Sequence, residues 1–265
     1  MSLNKHPLIT ITNLNWSYSE EAILKDINID FYSNRIYGII GPNGSGKTTL
    51  LKNISRALLP KEETIFLQDK DLTSFSNKEL SKIVSYVPQN TNLEFEFSVM
   101  DIVLMGRSPY LKRFQSESES DIDIAVNAMK ITNTWHLRDK NIGQVSGGER
   151  QRAIIARALA QQTDIMILDE PVSQLDIQHQ IEILDILKGL AENKKLTVIL
   201  SLHDLNISSE YCEHLILMDK GKIFKSGTPE EIISEENINK VYNIRALTMK
   251  NPLTGKPHII PYMKK

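Results

Sequence analysis

A chain of 265 residues with 41% hydrophobic and 24% charged side chains has the make-up of a globular protein large enough to bury a real core in one domain. Its formal charge of −2 gives no general electrostatic reason to expect nucleic acid, and no apolar run approaches the roughly 20 residues that span a bilayer. The single cysteine, Cys212, excludes an intrachain disulfide and a Cys-based metal centre, and the six histidines lack ligand-type spacing.

In chain order, the opening MSLNKHPLIT lacks the apolar stretch of a signal peptide, and the lone cysteine suits a reducing cytosol. LITITNLNWSY and AILKDINIDFY alternate as strands, and RIYGIIG is a compact buried strand. TTLLKNISRALL has helical spacing and is expected to stop at Pro60. TIFLQ and KIVSYVPQ predict further strands. Between about Leu93 and Asn141 the pattern turns helical, in SVMDIVLMG and DIDIAVNAMKIT, with the polar RFQSESESD between them as a solvated loop. Val99, Ile102, Val103 and Met105 are expected to pack mostly inside this segment.

From Ser146 onward helices and buried strands alternate. GERQRAIIARALAQQ is a helix, DIMILDE a strand, QLDIQHQIEILDILKGLAEN a long amphipathic helix and LTVILSLHD a strand. Two short strands, HLILMDKG and KIFKSG, follow, and Thr228, Pro229 and Glu231 then open another helix with a capping box. Such alternation predicts an α/β fold with a mainly parallel sheet covered on both faces.

GPNGSGKTTL, from Gly41 to Leu50, fits G-x-x-x-x-G-K-[ST] where a buried strand becomes a helix. Glycines let successive N–H groups turn inward around phosphate, and the helix N-terminus adds positive potential. Lys47 would reach the β- and γ-phosphates and Thr48 would hold Mg²⁺. IMILDEP sets Asp169 and Glu170 at the carboxyl end of a buried strand, with Asp169 suited to Mg²⁺ and Glu170 to polarising a water. In VSGGERQR, Ser146 caps a helix and Glu149 completes the box. Gly147 and Gly148 weaken that first turn, yet their bare N–H groups would suit an incoming phosphate. Chemistry alone leaves both readings open.

The order GPNGSGKT, Gln89 in YVPQ, VSGGERQ, IMILDEP, SQLD and SLHD resembles the ATP-binding subunits of ABC transporters over nearly the whole chain. The resemblance implies a P-loop ATPase core with an N-terminal antiparallel β subdomain, a helical subdomain inserted at about 91–145 and a C-terminal extension at about 228–265. It implies ATP and Mg²⁺ as cofactors and a head-to-tail dimer with a second copy. Gly41, Pro42, Asn43, Gly44, Ser45, Gly46, Lys47, Thr48 and Thr49 would cradle the nucleotide, and Tyr18 would stack on adenine. Ser146, Gly147, Gly148 and Asp176 would come from the opposite subunit, Asp176 being equally suited to cap a helix. Thr48, Gln89 and Asp169 would attend Mg²⁺, while Glu170, His203, Gln89 and Lys47 would serve catalysis. Val145 stands where leucine is usual and Val172 where threonine is frequent; neither change removes a polar catalytic group.

A finer resemblance is to the subunits that power importers of iron–siderophore complexes, haem and cobalamin. VMDIVLMGRSPYLKRF, SLHDLNISSEYCEHLILMDKGKIFKSGTPEEI and NPLTGKPHIIP carry it. It implies permease partners, an indirect link to a substrate-binding protein, a place on the cytoplasmic face of the membrane and no nucleic acid. The ATPase of another ABC transporter, or a soluble ABC ATPase, are the alternatives.

Overall fold

The computed structural model describes residues 6–18, 20–89, 96–173, 175–194 and 196–262. It divides into two compact units, Met1–Phe75 with Thr197–Lys265, and Ser76–Leu196. Residues 91–95, at the start of the expected helical segment, lie outside the described residues, as does Gln174 of SQLD.

The first unit opens with β1 (Ile9–Ser17) and β2 (Ala22–Phe31), paired antiparallel with Ile9 opposite Phe31. Alternation places Ile9 and Ile11 inside, and register shifts along the pair bring Leu14, Leu24, Ile27 and Phe31 inside as well. β3 (Ile36–Ile40) is buried at every position. α1 (Lys47–Ile54) follows, then the short β4 (Ile65–Leu67) and β5 (Lys70–Asp71), which complete an antiparallel sheet in the order β2-β1-β4-β5. α1 ends well before Pro60. Arg56 adopts a left-handed φ of 56°, and its guanidinium donates to the carbonyls of Leu72 and Phe75, so a tertiary tether overrides the helical spacing of RALL.

The second unit contains α2 (Asn77–Leu80), β6 (Val84–Val87), α3 (Val99–Leu104), α4 (Glu119–Ile131), α5 (Gly147–Ala160), β7 (Ile165–Leu168) and α6 (Ile177–Lys194). β6 and β7 run parallel, Val84 beside Ile165 and Val87 beside Leu168. Val99, Ile102 and Val103 are buried as expected, whereas Met105 is 38% exposed. The SESES stretch is only partly a loop. Ser118 caps α4 in a reciprocal box with Asp121, and Glu119 and Ser120 form its first turn. Buried Arg107 ties the turn after α3 to its neighbours, donating to Asp121 Oδ1 at 2.9 Å and to the Ala160 carbonyl at the end of α5 at 2.7 Å.

Back in the first unit come β8 (Thr197–Ser201), α7 (Leu205–Tyr211), β9 (His214–Asp219) and β10 (Lys222–Gly227). β3 lies parallel between β8 and β9, and β10 adds an antiparallel edge. Continuous apolar runs on β3 and β8 are what a doubly covered parallel sheet requires. α8 (Pro229–Ile232) starts at Thr228, whose N–H donates to the Glu231 carboxylate at 2.8 Å. α9 (Glu235–Tyr242) and the hairpin of β11 (Arg245–Lys250) and β12 (Pro257–Tyr262) finish the chain. The hairpin is fastened to α7. Asn206 exchanges two hydrogen bonds with the Ile259 backbone, Ser209 Oγ donates to the Pro257 carbonyl at 2.7 Å, and Lys256 Nζ donates to the Glu210 carbonyl at 3.0 Å. Cys212 is buried, and burial pushes its thiol up to about 12, an unreactive state.

Candidate functional site

In the first unit the loop Gly41–Gly46 leaves the buried end of β3 and leads into α1. A Cβ at Gly41 would collide with the Met218 carbonyl and fall 2.7 Å from Ser45 Oγ, so only glycine lets β9 approach so closely. Gly46 sits at the N-cap of α1 in left-handed backbone, φ 102°, and no side chain caps this helix. The first N–H groups of a helix have no acceptor within it, and here they form the positive end that an anion would meet. Lys47 is buried, its ammonium donating to the Gly41 carbonyl at 2.9 Å and the Pro42 carbonyl at 3.2 Å. Ser45 Oγ is buried without a hydrogen-bond partner among the described residues. A lysine curled over its own loop, an orphaned hydroxyl and an uncapped helix end fit a phosphate chain. Pro42, Asn43 and Gly44 form the outer rim, and Thr48 and Thr49 open the helix.

His203 is exposed just beyond β8, which runs parallel beside β3, so it emerges at the same strand end as the Gly41–Gly46 loop. Asp204 after it caps α7, accepting from Asn206 N at 2.8 Å and Ile207 N at 3.0 Å. Tyr18 follows β1 and is 63% exposed, its ring edge-on to Trp16 at 4.2 Å. An exposed aromatic held by a second ring offers a flat face for stacking.

In the second unit the pairing of β6 with β7 brings Gln89, Asp169 and Glu170 to one strand end. Asp169 is buried and donates its backbone N–H to Val87 O at 2.9 Å. Gln89 Nε2 donates to Glu170 Oε2, a direct partnership that sequence spacing does not reveal. Glu170 stands in left-handed backbone, φ 50°, unusual for a residue with a side chain and a form of strain that collects at functional sites.

Ser146 caps α5, its hydroxyl accepting from Glu149 N while the Glu149 carboxylate accepts from Ser146 N at 2.8 Å. The Ser146 N–H and hydroxyl hold the Glu149 carboxyl below its ordinary range. A Cβ at Gly147 would meet nothing within 4 Å among the described residues, so their packing gives no reason for that glycine. Asp176 caps α6, accepting from His179 N at 3.0 Å, and this N–H with the His179 side chain lowers the Asp176 carboxyl from its usual range. Val145 and Val172 are both buried. His179 Nδ1 lies 2.8 Å from Asp176 Oδ1, a pairing that an Asp three residues before a His at a helix start signals locally.

The ABC transporter profile matches residues 24–173. The chain belongs to the ABC transporter family. It is therefore an ATP-binding and ATP-hydrolysing subunit of that family. It is 36% identical to the ferric enterobactin transport ATP-binding protein of Escherichia coli (strain K12), over 94% of this chain and 92% of the relative. Among solved structures it is similar to an ABC transporter assigned to the metal-chelate type in an inward-facing conformation, with a TM-score of 0.85, 28% identity, and 97% and 98% of the two chains covered. It is also similar to a dimeric ATP-binding cassette bound to ADP and phosphate, with a TM-score of 0.72, 26% identity, and 83% and 98% covered. Among the described residues, no helix is long and apolar enough to cross a membrane.

Proposed function

We propose that this chain powers an importer of a metal chelate of the iron–siderophore, haem or cobalamin type, hydrolysing ATP on the cytoplasmic face of the membrane beneath a partner permease. The observation that carries the cargo class is the similarity along almost the full length to a ferric enterobactin transport subunit. A substrate-binding protein would deliver the chelate, so nothing in this chain touches it.

In this reading Lys47 leaves the Gly41 and Pro42 carbonyls for the β- and γ-phosphates, and Ser45 gains the partner it lacks. Tyr18 stacks on adenine. The oxygen donors of Thr48, Gln89 and Asp169 are of the kind Mg²⁺ prefers, and the ion, when bound, would neutralise charge on the phosphates. Glu170 takes the proton of the water that attacks the γ-phosphorus, as the bond to the ADP oxygen breaks; Gln89 orients that carboxylate. His203 donates to the γ-phosphate and helps to orient Glu170. Ser146, Gly147, Gly148 and Asp176 act on the nucleotide held by a second copy, which a dimeric relative supports. The helical segment at about 91–145 receives the permease. Dimer closure and reopening then drive the permease between its two facing states.

The test is to capture the protein from native membranes in mild detergent and identify what comes with it by mass spectrometry. A many-helix permease of the siderophore–cobalamin type is the expected partner. Recovery of a different permease would overturn the cargo class, and recovery of only soluble ribosomal or repair proteins would overturn the transport role.

A further inference from the structure

The two glycines of the Ser146–Gly148 stretch are not equivalent. Gly147 faces open space, but a Cβ at Gly148 would fall 2.9 Å from His179 Cδ2 and 3.0 Å from His179 Cγ. The imidazole therefore lies in contact with the backbone of the first turn of α5. Its other edge faces Asp176, with Nδ1 at 2.8 Å from Oδ1. A carboxylate only accepts, so Nδ1 carries the hydrogen.

The same Asp176 oxygen also accepts the His179 backbone N–H at 3.0 Å. That second bond is the helix cap, and any residue except proline at position 179 would supply it. The imidazole is thus surplus to capping. What it adds is a fixed link from the Asp176 carboxylate to the start of α5. Two further contacts stiffen the same place. Gln180 Nε2 donates to the Leu175 carbonyl at 2.9 Å, holding the loop before Asp176, and Arg152 on α5 pairs with Glu182 on α6 at 2.9 Å.

We infer that His179 is a positioning residue that holds Asp176 in register with Ser146–Gly148, so that both reach the nucleotide of the second copy together. This rests on the reading that those residues act across the dimer. Misplacing one of two groups that converge on a reacting centre slows turnover more than it weakens binding of the nucleotide, most of whose contacts lie elsewhere.

The experiment compares the purified full chain with His179→Ala, His179→Asn and Ser146→Arg for ATP turnover, KM and thermal unfolding. Asn places an amide nitrogen where Nδ1 stands and can donate to Asp176. His179→Ala is expected to lower kcat on the order of tenfold, with KM within about twofold and the unfolding midpoint within about 2 °C. His179→Asn, which keeps the donor to Asp176 but not the ring edge against Gly148, should recover part of the loss, and Ser146→Arg should abolish turnover. If Ser146→Arg is inactive while His179→Ala turns over normally, the inference fails and the reading of the shared site stands. A loss that Asn does not recover, or one that tracks a fall in the unfolding midpoint, makes His179 a packing residue and also overturns it. Normal turnover in Ser146→Arg removes the cross-dimer reading itself, and the role of His179 goes with it.

Discussion

Two helices in this chain begin in glycine-rich stretches, and their ends are finished differently. α1 starts on Gly46 without a side-chain cap, in left-handed backbone, with Lys47 folded over the loop before it. α5 starts on Ser146, whose first turn closes on itself through Glu149. An uncapped end leaves its positive pole to a ligand, whereas a self-capped end is stable without one. Under the proposed function, α1 would bind a phosphate of its own subunit and α5 one brought by a second copy, and a self-capped α5 would hold together when the copies part.

The strongest way to break this contrast is Lys47→Ala. Loss of charge-assisted bonds to phosphate should weaken ATP binding on the order of 100-fold in a nucleotide titration. Affinity within threefold of the parent would remove α1 from the site. Next comes Glu170→Gln, expected to bind ATP normally, turn it over on the order of 10² to 10⁴ times more slowly and accumulate as a dimer on size exclusion. Unchanged hydrolysis would end the assignment of Glu170 as base.

A pair of glycine variants sharpens the comparison on a smaller scale. Gly46→Ala forces a side chain into φ 102° and a contact 3.0 Å from Leu24 Cδ2, and should cost about 1–2 kcal/mol in urea unfolding. Gly147→Ala has open space and should stabilise α5 by roughly 0.5 kcal/mol while slowing ATP turnover. If Gly147→Ala is both more stable and fully active, the exposed start of α5 meets no phosphate.

The mildest effect concerns α4, which opens with the same kind of capping box as α5. The Ser118 hydroxyl and N–H, and then Arg107, hold the Asp121 carboxyl down to about 2, below the ordinary 3.8. A depressed carboxyl contributes stability that is complete above the ordinary value and is lost as pH falls toward 2. Ser118→Ala should therefore flatten the decline of the unfolding midpoint between about pH 4 and pH 2. An unaltered slope would mean that the hydroxyl does not set this titration.

What the sequence could reveal follows from how local each signal is. The glycine-rich turn from β3 into α1, the buried strands and the caps at Ser146 and Thr228 are written within a few residues, and all form where expected. The end of α1 is not local, because the turn at Arg56 is held by carbonyls of Leu72 and Phe75. By composition the SESES stretch reads as a solvated loop, yet Ser118 and Asp121, three residues apart, form an ordinary capping box. The bond between Gln89 and Glu170 and the contact between His179 and Gly148 both depend on which elements become neighbours, and no spacing rule encodes that.

The hairpin fastened to α7 carries a practical lesson. Asp204, the residue after His203, caps α7, and Asn206, Ser209 and Glu210 of that helix are held by residues 256–259. Trimming the chain before Lys256 would remove the bonds to Asn206, Ser209 and the Glu210 carbonyl at once. Any tag, label or protease cut that disturbs this end is therefore also an intervention at the loop that carries His203.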